Sequence, residues 1–184
     1  MAQGKVIVNA LNLVQGPLPS VERHFLFIGT APTGVDTVIA LNQQSDLDVL
    51  LGEADSVLKT NIEAARLNGG EQWGATCVPI TGADYGAGID IAIAAGISPE
   101  AIVVLTPAAD SAAVDALQTK AVELLNTHSR RVFILGVTAG IDAGTQSWSD
   151  YLTAQNAILE GVAGYRVAIV PQLHGNDVGV LAGR

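Results

Sequence analysis

The chemistry open to this sequence is bounded by where its reactive side chains fall. Three histidines stand at positions 24, 128 and 174, so none has the i, i+3 or i, i+4 partner that lets one helix face hold a metal. His24 opens an apolar run, and His128 lies near the expected C-terminus of a helix, where a cation is mildly favourable. The lone cysteine, Cys77, sits between Thr76 and Val78 inside an apolar segment. A nucleophilic thiol needs a base and exposure, so this one reads as a small core residue. A single thiol also cannot form an internal disulfide, so the fold owes nothing to oxidation.

The most polar cluster is His174-Gly175-Asn176-Asp177, just past an expected parallel strand, where open α/β sheets place ligand sites. Asp110 after Pro107 and Asp142 after Gly140 fall at equivalent strand ends. Carboxylates gathered on one rim are the oxygen ligands a hard divalent cation takes. Helix capping accounts for each of them more economically, with Asn176 or Asp177 opening a last helix. Phosphate chemistry lacks its loop: Lys59-Thr60 follows Leu58 on an expected helix, and the glycines of Gly82–Gly88 and Gly136–Gly140 do not match Gly-x-Gly-x-x-Gly. The Gly-x-Ser-x-Gly turn of α/β-hydrolases is missing from the sequence. No catalytic, cofactor or metal site is therefore assigned, and the chain is not read as an enzyme.

The elements that position these residues follow from periodicity. Strands are expected over 24–29, 36–41, 73–80, 101–106, 131–137 and 165–173, and helices over 56–67, 84–95, 110–127 and from Ser147 on. Ser45 and Ser147 each open a capping-box pattern, the first leading a short helix that stops at Gly52. Leu58, Ile62 and Ala65 share one helix face, as do Val114, Leu117, Ala121 and Leu124. Trp148, Tyr151, Leu152, Leu159 and Val162 are expected to point inward from the last long helix. The runs 102–105, 132–135 and 167–170 are apolar on both faces, which suits central strands of a parallel sheet. Strands alternating with amphipathic helices give an α/β three-layer sandwich with a mainly parallel central sheet and right-handed crossovers.

Composition narrows the function classes. The 184 residues suit one domain, with nearly half of them apolar but only 4% aromatic, so the core must be built from Ala, Val, Ile and Leu. Charged residues make up 15%, below the roughly 25% of ordinary soluble domains. A surface poor in charge suits a protein that buries much of it against partners. The net charge of −9, with only Arg130 and Arg131 adjacent among the cations, argues against nucleic acid and against an anionic membrane surface. No apolar run reaches the ~18 residues of a membrane span, and the N-terminus lacks the apolar core of a signal peptide, which suits synthesis in the cytosol.

Residues 1–23 stand apart as an extended N-terminal arm and linker, with residues 24–184 as the α/β domain. Lys5, Val6, Ile7, Val8, Leu11 and Leu13 fall in a period-2 stretch that Gly16-Pro17-Leu18-Pro19 separates from the rest of the chain, the pattern of a detachable strand. At the other end Val178–Arg184 begins something helical and stops, so the domain is expected to continue beyond residue 184 in a longer protein.

The order of features between His24 and Ile80 is specific. Phe27-Ile28-Gly29 ends a strand, a Pro/Gly turn and a strand to Leu41-Asn42 come next, then Ser45-Asp46-Leu47 opens a helix to Leu51-Gly52. A longer helix and Asn68-Gly69-Gly70 precede the next strand. This order resembles the N-terminal portion of contractile phage tail sheath subunits. The stretch from Tyr165-Arg166-Val167 to His174-Gly175-Asn176-Asp177 is similar to sheath-like tail proteins of Mu-like phages and prophages. Sheath subunits are longer than this chain. The resemblance implies a structural subunit of the virion, made in the host cytoplasm. Its partners would be copies of itself in rings or a helical sheath, the tail tube protein, and baseplate or tail terminator proteins. No cofactor, nucleic acid or membrane is implied. It further implies that a terminal strand, here the Lys5–Leu13 segment, adds to a neighbour's sheet. The other reading is a Rossmann-like or flavodoxin-like ligand-binding domain or enzyme, using the strand ends at Thr106, Thr138 and His174.

Overall fold

Six strands and six helices form between Phe25 and Ala182, close to the expected places: β1 (Phe25–Thr30), β2 (Ile39–Asn42), α1 (Leu47–Leu51), α2 (Val57–Gly69), β3 (Gly74–Ile80), α3 (Tyr85–Ala94), β4 (Ala101–Pro107), α4 (Ser111–His128), β5 (Phe133–Thr138), α5 (Trp148–Leu159), β6 (Val167–Pro171) and α6 (Asp177–Ala182). This computed structural model describes residues 24–71, 73–129, 131–142 and 144–183; the expected arm, with Lys5, Val6, Ile7, Val8, Leu11 and Leu13, lies outside the described residues. The strands make one sheet in the order β2-β3-β1-β4-β5-β6. All neighbours are parallel except β2, which runs against β3.

The reversal at β2 has a local cause. Gly34 and Asp36 both adopt positive φ, 68° and 58°, folding the chain back on itself after β1. The Asp36 N–H then donates to the Pro79 carbonyl at 2.9 Å, so the returning chain meets the far end of β3 and runs down it. Ladder pairing begins at Ile39 and not at the expected Asp36, because residues 34–37 are spent in the turn.

Each face of the sheet carries its own core. On one, Phe27, Cys77, Val103 and Leu135 pack with Leu47 and Leu51 of α1, Leu58, Ile62 and Ala65 of α2, and Val178 and Ala182 of α6. On the other, Leu26, Ile28, Val78, Ile102, Val104 and Ile134 meet Ile89 and Ala92 of α3 and Leu117, Ala121 and Leu124 of α4. Helices therefore cover both faces of a mostly parallel sheet, the three-layer arrangement expected. Small side chains let the layers close: a Cβ on Gly136 of β5 would lie 2.6 Å from the Leu117 side chain. Gly86 and Gly88 are accommodated within α3. A Cβ on Gly88 would lie 2.8 Å from the Ile80 side chain, so the glycine seats the helix against β3.

Three expectations are corrected. The first helix is capped by Asp46, whose side chain accepts from the Asp48 and Val49 N–H groups; Ser45 instead accepts the Asn42 N–H at 2.9 Å and closes the turn before it. Strand β6 is the last in the sheet, and its apolar residues 167–170 are only half-buried, because one side of the strand has no neighbour among the described residues. In α5 only Tyr151 is buried, while Trp148, Leu152 and Leu159 are 54%, 44% and 45% exposed. The inward face of that helix is Tyr151, Gln155 and Ile158, at i, i+4 and i+7, one step around from the expected stripe. Val162 lies beyond the helix end and is half-buried. Residues 177–182 are helical, as expected from Val178 onward. They form α6, whose Val178 is completely buried against α2 and the sheet.

Candidate functional site

Two surfaces merit the name of site: the rim at the strand C-terminal ends, and the apolar ground around α5 and β6. The rim collects the residues singled out by type. Asp110 Oδ1 accepts the Ala113 N–H at 2.8 Å and so caps α4. Asp142 closes a turn, accepting from the Gly144 N–H at 3.1 Å and the Thr145 hydroxyl at 2.6 Å. Those two bonds, the Thr145 hydroxyl foremost, hold its carboxyl below the usual aspartate range. The carboxylates serve separate turns, and no cluster of three or more metal-ligating side chains occurs among the described residues.

His174 and Asp177 form a closed local pair. Asp177 Oδ2 accepts the His174 backbone N–H at 2.7 Å, and its Oδ1 lies 3.0 Å from His174 Nδ1. Partial burial works to raise the Asp177 carboxyl, but the hydrogen bonds from His174 outweigh it and the group stays below its ordinary value. The His174 ring itself is 79% exposed. Asn176 occupies the N-cap position of α6 but makes no capping bond through its side chain. Neither Asn176 nor Asp177 therefore caps α6 through its side chain as expected: Asp177 ties the loop ahead of the helix, and its own N–H is taken by Gln172 Oε1. Nearby, Thr138 at the end of β5 donates to Gln155 of α5 at 2.6 Å, and the Tyr151 hydroxyl donates to the Ala139 carbonyl at 3.3 Å. These bonds anchor α5 to the sheet rim.

Cys77 lies fully buried in the middle of β3, and desolvation pushes its thiol up to about 12. A thiol so protonated is no nucleophile. His24 stands before β1, its Nε2 2.7 Å from the Thr76 hydroxyl, a link between neighbouring strands.

Residue types gave no hint of the polar hub behind the rim. Asn61 of α2 is completely buried yet fully bonded. Its Nδ2 donates to the Val57 and Gly175 carbonyls at 2.9 and 3.1 Å. Its Oδ1 accepts from Gln172 Nε2 at 3.2 Å and from the Gly179 N–H at 3.0 Å. Gln172 Oε1 in turn accepts the Asp177 N–H at 2.7 Å. One signal in the sequence could have exposed this seam: Gly179 and Gly183, spaced i, i+4, give a helix a face without side chains. A Cβ at the first would collide with the Asn61 carbonyl oxygen, and one at the second with that of Ala65.

The second surface is apolar. Trp148, Leu152 and Leu159 fall within about 40° of one another around α5 at 100° per residue, and all three are exposed. The Trp148 ring stacks on Tyr151 at 5.5 Å between centroids. Leu159 joins Val114, Val162, Gly164, Val167 and Ile169 in lining a cavity of 210 Å³ beside β6. Exposed apolar ground of this kind marks a docking surface more often than a reactive one.

Comparison with known proteins bears on which surface matters. A family model described as "DUF2586, N-terminal domain" matches residues 3–184. A protein of Haemophilus phage HP1 (strain HP1c1), named "Putative tail sheath protein", is 32% identical over 184 residues, covering 97% of this chain and 49% of that relative. The chain thus spans about half the length of the relative it matches.

Proposed function

The chain belongs to the family described as DUF2586, N-terminal domain, and from that premise we propose that it is a structural part of a phage tail sheath. The observation that carries this reading is the similarity to the HP1 protein along nearly the whole chain. The geometry supports it. The rim carboxylates are engaged in caps and turns, the only cysteine is buried and protonated, and the exposed features include apolar ground around α5 and a strand, β6, with one side unpaired among the described residues. A protein working through surfaces offered to its own copies needs these and no reactive cluster.

In this reading the subunit polymerises around a tail tube as a non-enzymatic virion component, and its further partners are the tube and the proteins that end the tail. Residues 24–184 form one domain of a longer sheath protein, and residues 1–23 form an extended arm whose Lys5–Leu13 segment joins subunits by adding to a neighbour's sheet. Contraction is then a rigid-body change between two packings of the subunits, with the arms as joints and no nucleotide consumed.

Electron microscopy of the whole protein containing this domain, alone and with its tube partner, tests the proposal. Rings, tubes or sheaths are expected. A protein that stays monomeric at high concentration with the tube present would overturn it. Removing residues 1–19 is expected to abolish linkage between subunits while leaving the domain folded.

A further inference from the structure

Strand β6 ends the sheet with one side unpaired among the described residues. In a parallel pair, alternate residues turn both N–H and C=O towards the same neighbour. The Arg166 carbonyl accepts from the Ile134 N–H at 2.9 Å and the Gln172 N–H donates to the Thr138 carbonyl at 3.2 Å, both across to β5. Residues 168 and 170 therefore turn to β5 as well, and Val167 and Ile169 present their N–H and C=O groups to the open side. The strand reads Val-Ala-Ile-Val-Pro, so neither a charge nor a central proline guards it. Its edge is continuous with the exposed ground on α5. Val167 and Ile169 line the 210 Å³ cavity together with Leu159, and Trp148 and Leu152 carry the exposed apolar surface along the helix.

We propose that this face receives a second copy of the chain, with β6 pairing antiparallel to its counterpart about a two-fold axis at Ala168. Charge selects the occupant. Two copies of a chain of net charge −9 repel wherever their charged surfaces meet. Among the three longest helices, α2 carries Lys59, Glu63 and Arg66 and α4 carries Asp115, Lys120 and Glu123. In contrast, α5 has a single charge, Asp150 in its first turn, and β6 has none. Glu160 and Arg166, which border the two elements where α5 ends and β6 begins, are of opposite sign. Like copies therefore meet here with the least repulsion, and a strongly charged partner finds nothing to attract it.

The strand is complementary to itself in one register. With Val167 opposite Ile169 of the second copy, and Ile169 opposite Val167 of that copy, every N–H and C=O that these residues turn outward is used. Ala168 then faces its own counterpart in the pair without hydrogen bonds, where Cα atoms approach to ~4.5 Å and a small side chain fits. Arg166 falls opposite Val170, so no like charges oppose each other. The branched Val–Ile pairs are favourable cross-strand neighbours and lie in the layer of α5. Pro171, opposite Tyr165, has no N–H to give and ends the ladder. The contact is closed and isologous. It needs neither an arm nor a tube, so it stands apart from the sheath reading.

Sedimentation equilibrium and residue-resolved amide exchange on the 184-residue chain test it. Dimers are expected, and exchange at Val167 and Ile169 should slow about tenfold between dilute and concentrated protein. Val167→Pro removes an outward N–H and no bond to β5, a change that an edge strand tolerates. It should weaken the dimer about tenfold. Should that variant fail to fold by circular dichroism, cross-linking decides. Ala168→Cys should form a disulfide between copies under mild oxidation, because the Cα separation of that pair suits one. Val49→Cys, exposed on α1, should not. Monomers at every concentration overturn the proposal. So do exchange rates at Val167 and Ile169 that ignore concentration, which would leave the edge open or assign its cover to the same chain. So does an Ala168→Cys variant that links no faster than Val49→Cys. Absence of tubes in the microscope leaves the dimer in place, and tubes do not require the dimer, so the two readings fail separately.

Discussion

The Gly179 N–H donates to Asn61 Oδ1 at 3.0 Å, across the interface between a C-terminal helix and a helix 118 residues earlier. That bond exists because Gly179 brings its backbone onto α2, where a side chain would have to occupy the position of the Asn61 carbonyl. The same contact recurs one turn on, where Gly183 lies against Ala65. Residues 177–182 are thereby part of the domain's core and not an appendage to it.

Replacement of Gly179 by alanine is expected to destabilise the domain by about 2 kcal/mol or more, since the clash is with backbone and cannot be relieved by a rotamer change. Asn61→Ala is expected to cost about 3 kcal/mol, because buried partners at Gly175, Gly179 and Gln172 lose their bonds. Urea denaturation of each variant measures both. Wild-type stability in either would show that α6 is not packed as described.

Lys59 carries a charge into the protein and is well supplied there. Its Nζ bonds the Asp48 carboxylate at 2.5 Å and the Gly52 and Glu53 carbonyls at 3.2 and 3.1 Å. The bond to Asp48 foremost, working against desolvation, raises the ammonium above its usual value. Lys59→Met is expected to lower the denaturation midpoint by freeing the loop after α1. Asp48→Asn should do so less, because that carboxylate is 63% exposed. Equal effects from the two would contradict the role given to the carbonyl oxygens.

Acid sensitivity has a definite sign. Asp142 and Asp177 are both held below the ordinary aspartate value in the folded chain. A depressed carboxylate contributes stability above its unfolded value and loses it as pH falls through the folded one. Stability is therefore expected to hold near neutrality and to decline below about pH 4. In Asp177→Asn, thermal melts between pH 6 and pH 2 should show a shallower decline than in the wild type. An unchanged slope would remove Asp177 from the account.

The Cys77 thiol, pushed up to about 12 by burial, should not react with a thiol reagent at pH 8 while the domain is folded. Full reaction is expected once denaturant opens the sheet. Rapid labelling of native protein would mean that β3 is not in the centre of the fold.

Trp148 and Leu152 offer a separation of surface from stability. Trp148 is 54% and Leu152 44% exposed, so Leu152→Ser should cost only about 1 kcal/mol, well short of a core substitution. It should nonetheless weaken self-association in sedimentation experiments. A large loss of stability would place Leu152 in the core after all.

Much of this domain is legible in the order of its residues. Burial on both sides of a sheet demands unbroken apolar runs, and residues 26–28, 102–105 and 134–135 announce β1, β4 and β5 for that reason. Asp110 and Ser147, ahead of amphipathic stretches, mark helix starts because a free N–H must find an acceptor close by in sequence. Cys77 reads as inert because an apolar strand implies desolvation.

Relationships between distant positions had to come from the tertiary structure. A half-buried edge strand and a central one share the composition of β6; only the strand order, fixed by which segments compete for each lane, tells them apart. The stripe on α5 differs from the expected one because helix periodicity gives the angle between side chains but not the direction of the core. That direction is set by Thr138 and Ala139, which take Gln155 and the Tyr151 hydroxyl. The partnership of Asn61 with Gln172 and Gly179 spans more than a hundred residues. Local pattern cannot encode it, because a buried amide is tolerable only when chain segments remote in sequence arrive together to satisfy all of its bonds.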